Sequence, residues 1–287
     1  MSALLELTSD EYHADPCPEP SLNSTTARVL LTKTPAHAKA QHPRLSDVPL
    51  EPRTSDAMDM GTAVHQLLLR DDRVEVADFP DWRKLEARTW RDETRANGRI
   101  PMLRHQWDKA NAIANAIRDN IKPLAKPTPF TAGTPEATLT WQEDDVWLRA
   151  RLDWLRDDLT VIDDLKLTSR SADPSWDRQI WNMGYDVQAA LYVRAVEALH
   201  GVTPRFRWIV AESYPPYAVA AVWLDEPDMF AARVQVDTAI QVWRECMRSG
   251  RWPAYPTETR VAVRPGWAAR AREDAWGEVD VEEAVPF

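Results

Sequence analysis

Asp164 and Lys166 stand two residues apart in the segment Ile162-Asp163-Asp164-Leu165-Lys166, within an apolar run from Leu159 to Leu167. In an extended strand alternate side chains share a face. Asp164 and Lys166 therefore neighbour each other beside Ile162, while Val161, Asp163, Leu165 and Leu167 take the opposite face. The preceding run alternates too: Val146, Leu148, Ala150, Leu152 and Trp154 form an apolar face, which turns Asp153 to the other side with Arg149 and Arg151. A hairpin of the two strands brings Asp153 close to Asp164 and Lys166. Carboxylates are hard oxygen donors suited to Mg²⁺ or Mn²⁺. A lysine beside them can orient or deprotonate a water, or neutralise charge on a phosphate oxygen. The same D-x-K spacing also fits a surface ion pair.

Other residues flank this pattern. His65 follows Gly61 by four positions, one turn along the same helical face, and the glycine leaves room for a backbone or a ligand to approach. The alternative for His65 is a buried histidine with its hydrogen bond satisfied. Gln188 and Tyr192 share a helix face at the same spacing, either as site residues or as an ordinary half-buried pair.

The net charge of −10 argues at first against a nucleic-acid partner. Its distribution does not. Residues 61–130 hold 13 basic and 10 acidic side chains, whereas residues 131–200 hold 7 and 13. Lys84, Arg88, Arg91 and Arg95 recur at spacings that line one helical face. That ridge reads either as a phosphate-contacting surface or as a solvated face with local ion pairs such as Asp92 with Arg95. Of the 14 tryptophans, Trp82 and Trp90 are the candidates for base stacking, while Trp141 and Trp154 lie on core-facing strand positions.

The elements that must position these residues can be read in order. Short helices start near Ser24 and Pro35, and longer ones cover 57–70, 81–97 and 105–121. Strands follow at 136–142, 146–155 and 159–167 as an antiparallel meander, then a helix over 177–199 ended by Gly201. Strands at 205–213 and 217–224 and a helix over 227–249 complete the pattern. The expected fold is α/β (α+β) with a central mixed sheet flanked by helices. The expected organisation is an N-terminal helical segment, 1–56, a main domain, 57–250, and an irregular tail, 251–287.

Several classes are excluded. No two of the 8 glycines are two residues apart, so there is neither a dinucleotide fingerprint nor a phosphate-binding loop. Cys17 and Cys246 cannot build a disulfide framework or a four-cysteine zinc or iron–sulfur site. The acidic N-terminus is no secretory signal, and the apolar run Ala218 to Leu224 is too short to span a bilayer. A soluble protein of a reducing compartment, the cytoplasm, is expected, with no membrane partner.

Five short motifs occur in a telling order: Gly61-Thr62-Ala63-Val64-His65, Pro135-Glu136-Ala137-Thr138, Arg151-Leu152-Asp153, Ile162-Asp163-Asp164-Leu165-Lys166, and Gln188-Ala189-Ala190-Leu191-Tyr192. With Thr34-Pro35-Ala36-His37 and Trp252-Pro253-Ala254-Tyr255, the chain resembles the RecB-type branch of the PD-(D/E)xK nucleases over residues 20–270. Within that branch it is most similar to the exonuclease VIII-like (RecE-type) enzymes of phages and prophages.

The resemblance implies a restriction-endonuclease-like core and a Mg²⁺-dependent deoxyribonuclease, with Mn²⁺ able to substitute. The mode it implies is a 5′→3′ exonuclease on double-stranded DNA ends, acting in recombination in a bacterial or phage-infected cell. An endonuclease, a single-strand nuclease or a DNA-binding protein without cleavage are the alternatives. His65, Asp153 and Asp164 would be metal ligands and Lys166 the catalytic lysine. Glu136 would be a further acid near the metal and the attacking water. Gln188 and Tyr192 would support the site or contact DNA. A ring-shaped homo-oligomer and a single-strand annealing protein as partner are further expectations. Strand parity and the D-x-K spacing both select Asp164 over Asp163.

Overall fold

The computed structural model describes residues 3–5, 7–48, 56–69, 74–124, 126–259 and 261–263. The N-terminal part contains β1 (Ala3–Leu5), α1 (Ser9–His13), α2 (Ser24–Thr32), α3 (Pro35–Gln41) and α4 (Asp56–Leu69). Next come β2 (Val74–Ala77), α5 (Leu85–Ala96), β3 (Ile100–Leu103) and α6 (Arg104–Leu124). The central strands are β4 (Gly133–Glu143), β5 (Val146–Arg156) and β6 (Val161–Thr168). A 3₁₀ turn, Pro174–Asp177, leads to α7 (Arg178–Met183) and α8 (Tyr185–His200), then β7 (Arg205–Glu212), β8 (Val219–Val222) and α9 (Glu226–Ser249). Residues 1–254 form one contact unit, and the described residues beyond it carry no regular structure.

The main sheet has the order β1-β4-β5-β6-β7-β8. Only β6 and β7 run parallel, joined through α7 and α8; every other pair is antiparallel. A separate parallel pair joins β2 to β3. The mixed α/β architecture expected from the alternating patterns is the one observed. One sheet face, with Leu139, Trp141, Leu148, Ile162 and Trp208, packs on α2, α8 and α9. The other, with Leu165 and Ile209, packs on α4 and α6 through Val64, Ile113 and Ile117. Each fully buried aliphatic side chain of this kind contributes roughly 1.5–3 kcal/mol of transfer free energy, so β6 is clamped from both sides.

Three expectations need correction. The helix placed at 81–97 begins at Leu85, and Ile100–Leu103, to which the sequence assigns no element, is a strand paired with the unanticipated β2. The helix placed at 177–199 is broken at Gly184, which has φ +68° and stands at the end of α7 and the start of α8. A side chain there would collide with Arg28 Cδ, 2.7 Å from an added Cβ. The N-terminal segment is also woven into the sheet. Leu22 exchanges backbone hydrogen bonds with Trp147 and Arg149 (2.9 and 3.0 Å), on the stretch of β5 that β6 does not reach. Among the described residues no helix is long and apolar enough to cross a membrane.

Candidate active site

β5 and β6 pair only at Trp154–Asp163 and Leu155–Ile162. Beyond those rungs the strands part, and the fork is where the chemistry-bearing residues meet. Asp153 sits in the fork, where its Oδ2 accepts a hydrogen bond from the Leu165 amide (2.8 Å), the role a ladder carbonyl would otherwise fill. On the other side of β5 the ladder passes from Pro135–Trp154 to Ala137–Leu152 and skips Glu136. Glu136 has φ +52°, a backbone conformation costly for a side chain with a Cβ and concentrated at functional sites.

His65 approaches from α4. Its Nε2 lies 3.3 Å from the Leu165 carbonyl oxygen and its Nδ1 3.6 Å from Asp153 Oδ2. In the neutral ring, a proton on Nε2 satisfies that carbonyl and leaves the Nδ1 lone pair facing Asp153. Burial holds the imidazole pKa below its usual value, which favours the neutral form. One donor atom each from His65, Glu136 and Asp153 lies within 4.8 Å of the others.

Asp164 is not in that trio. Its Oδ2 is 2.5 Å from Lys166 Nζ, and its Oδ1 accepts from Gln188 Nε2 at 3.1 Å. Gln188 Oε1 in turn accepts from Lys166 Nζ at 3.0 Å, so one amide ties carboxylate and ammonium together. The Tyr185 ring completes the lysine's surroundings, with Nζ 4.5 Å from its centroid. Tyr192 packs behind Gln188, 6 % exposed, and burial raises its phenol far above the ordinary range.

The electrostatics follow from crowding. Burial, reinforced by Glu136, pushes the Asp153 carboxyl up to about 7 despite Lys166 and the Leu165 amide. Burial and the Asp153 charge push Asp164 up to about 6 against the pull of Lys166. Burial lowers Lys166, but Asp164 and Asp153 outweigh it and leave the ammonium above the usual lysine range.

Asp163 faces away, as parity requires. It is fully buried, paired with Arg207 (Oδ1 2.6 Å from Nη2) and accepting from the Phe130 amide at 3.2 Å. Arg149, expected beside Asp153, is committed elsewhere: it binds Asp15 at 3.2 Å and Ser21 Oγ at 2.6 Å. Arg151 does reach the site. Its Nε bonds Glu136 Oε2 (2.5 Å) and its Nη1 bonds the Leu7 carbonyl (2.8 Å).

His65, Glu136, Arg151, Asp153, Lys166 and Tyr192 line a cleft of about 900 Å³ that also takes in Tyr12 of α1 and Lys109 of α6. Neither was singled out from the sequence. For α1 the signal was present, because Thr8 and Glu11 form a capping box, T-x-x-E, at its start. Lys84, Arg88, Arg91 and Arg95 do not line the cleft; Lys84 caps α5 and the other three lie along it. The Arg91 guanidinium sits 5.7 Å from the Trp82 ring and its Nε bonds Asp92 at 3.2 Å. Trp82 and Trp90 stack on each other, with centroids 6.0 Å apart and planes 10° apart.

Residues 24–262 match a family model described as a PDDEXK-like domain of unknown function, DUF3799. No curated protein matches the sequence. Among solved structures, the chain is similar to a "putative exonuclease" from Eubacterium rectale, with TM-score 0.61 and 13% identity over 96% of this chain and all of that one. The structure of SSO0001 matches at TM-score 0.27 and 11% identity, over 70% of this chain and 97% of that one.

Proposed function

Because the chain belongs to the PDDEXK-like family DUF3799, we propose that it is a divalent-metal-dependent nuclease hydrolysing DNA phosphodiester bonds, acting as a 5′→3′ exonuclease on double-stranded ends. The observation that carries the reading is the meeting of His65, Glu136 and Asp153 donors within 4.8 Å in one open cleft, which Lys166, paired with the buried Asp164, also lines.

The donor set fits Mg²⁺ or Mn²⁺. Two carboxylates and an imidazole are hard and borderline donors, and the Asp153 carboxyl, raised by burial and then by the nearby Glu136 charge, lies where a bound cation would favour its ionised form. Asp153, Glu136 and His65 would hold the ion, with Asp164 next to them. When bound, the ion supplies Lewis acidity to water and to phosphate oxygens.

The chain's own groups divide the remaining work. Lys166 stays protonated, so it serves as a fixed positive charge for a phosphate oxygen rather than as a base. Gln188 holds Lys166 and Asp164 in register, and Tyr192 supports Gln188. Arg151 holds Glu136. Lys84, Arg88, Arg91 and Arg95, which lie outside the cleft, are proposed to contact duplex phosphates.

The name of the Eubacterium rectale relative accords with an exonuclease. The resemblance to RecE-type enzymes extends the proposal to a ring-shaped homo-oligomer, a single-strand annealing partner, and recombination in the cytoplasm of a bacterial or phage-infected cell. One gel tests the core of the reading. End-labelled linear duplex and covalently closed circles are incubated with Mg²⁺ and with chelator. Progressive loss of linear DNA with Mg²⁺ alone, circles surviving, is expected. Rapid nicking of circles points to an endonuclease, attack on single strands alone to a single-strand nuclease, and binding without cleavage to a silent relative.

A further inference from the structure

Two cleft features are used by none of the groups above. The first is Gly61, at an interior position of α4, one turn before His65. Glycine inside a helix is destabilising relative to alanine, so its presence needs a reason. Packing does not provide one, because among the described residues a Cβ built on Gly61 meets no atom within 4 Å. The space over Gly61 is open cleft. The second feature is on α6, which packs beside α4 on the same face of the sheet. His105 and Lys109, one turn apart on α6, line the same cleft and are exposed. Among the described residues no hydrogen bond or ion pair engages Lys109, whereas Lys166 is saturated by Asp164, Gln188 and Tyr185.

We infer that the nucleic-acid strand to be cut enters the cleft across the cleft-facing residues of α4 and α6, with its sugar–phosphate backbone against Gly61 and a phosphate on Lys109. The inference rests on the nuclease reading and adds the path of the substrate. A backbone held against α4 at Gly61 lies one helical turn from His65 and hence from the donor trio. A cation on the neighbouring helix gives the strand a second point of attachment. The uncommitted ammonium suits a phosphate, because such contacts are sequence-independent and electrostatic. The basic ridge of α5, outside the cleft, cannot provide this contact.

The test is DNA binding, read by fluorescence anisotropy of a labelled duplex with a short single-stranded overhang, with chelator and again with Ca²⁺. Gly61→Ala is expected to raise Tm by roughly 2 °C, since it removes a helix-interior glycine, yet to weaken DNA binding about tenfold by filling the backbone's space. Lys109→Gln is expected to flatten the dependence of log K on log salt by about one, the share of a single phosphate contact. Lys122→Gln, at the far end of the same helix, controls for net charge and should leave the slope unchanged. If Gly61→Ala is as stable as wild type or more so and both variants bind as wild type does, the inference fails while the nuclease reading stands. If wild-type protein binds neither duplex nor single strands in either condition, the nuclease reading fails and takes the inference with it.

Discussion

Asp163 and Asp164 are adjacent in the chain, both are buried, and they serve opposite faces of β6: Asp163 is closed by Arg207, Asp164 by Lys166 and Gln188. The two aspartates should fail differently when neutralised. Asp163→Asn strands a buried guanidinium, a change that costs about 3–5 kcal/mol. Its Tm should fall by on the order of 10 °C, with Mg²⁺ affinity of the folded protein unchanged. Asp164→Asn should keep more of its Tm, because its partner Lys166 opens onto the cleft whereas Arg207 is fully buried, but lose cleavage. Calorimetric unfolding and Mg²⁺ titration below the transition decide it; a stable, inactive Asp163→Asn would contradict the assignment of faces.

Lys166 has three donors and no acceptor, so it cannot ligate a cation. Lys166→Met keeps the stem and removes the charge. Mg²⁺ affinity should hold or rise, because a positive charge beside Asp164 and Asp153 has gone. Cleavage should fall by a factor on the order of 10² or more, the usual loss when a group acting directly on the reacting centre is removed. Retained cleavage with weakened Mg²⁺ binding would reverse the two roles.

Much of this arrangement was legible because strand parity is a strict rule. The alternation in β6 separated Asp164 from Asp163, which pair with Lys166 and Arg207 on opposite sides, and the helical spacings of His65 and of Gln188 with Tyr192 marked side chains that the structure brings near Asp153 and Asp164. What parity could not foresee was its own interruption. Glu136 adopts positive φ and drops out of the β4–β5 ladder, so its meeting with His65 and Asp153 depends on a backbone irregularity with no glycine to announce it. Likewise β5 and β6 part after two rungs, which lets Asp153 take the Leu165 amide. The four-residue strands β2 and β3 were too short to show a period. The basic spacing in α5 was real, but spacing fixes a helix face and not what that face looks toward.

The raised carboxyls set a pH dependence for metal-free protein. An aspartate whose folded pKa exceeds its unfolded value binds more protons in the native state, so stability falls as pH rises between the two values. For Asp153 that window runs from the ordinary carboxylate range to about 7, and for Asp164 to about 6. In chelator, Tm of the wild type should therefore decline relative to Asp153→Asn as pH rises from 4 to 7, and added Mg²⁺ should remove the decline. Parallel Tm curves for the two proteins across that range would show that Asp153 ionises without penalty.

Arg151 joins Glu136 to the Leu7 carbonyl, and its charge also lowers the pKa of Asp153. Arg151→Met should leave Glu136 and Asp153 facing each other without that counter-charge. Protonation of Asp153 then becomes easier, and protons compete with the cation for its oxygens. Mg²⁺ affinity should drop several-fold at pH 7 and recover most of the loss at pH 9, where the carboxyls are ionised in either protein. Arg151→Lys, which keeps the charge but cannot make both bonds in the same geometry, should fall between wild type and Arg151→Met at pH 7. A loss of affinity that is equal at pH 7 and pH 9 would assign Arg151 to holding Glu136 in place, with no part in setting the charge of the donor site.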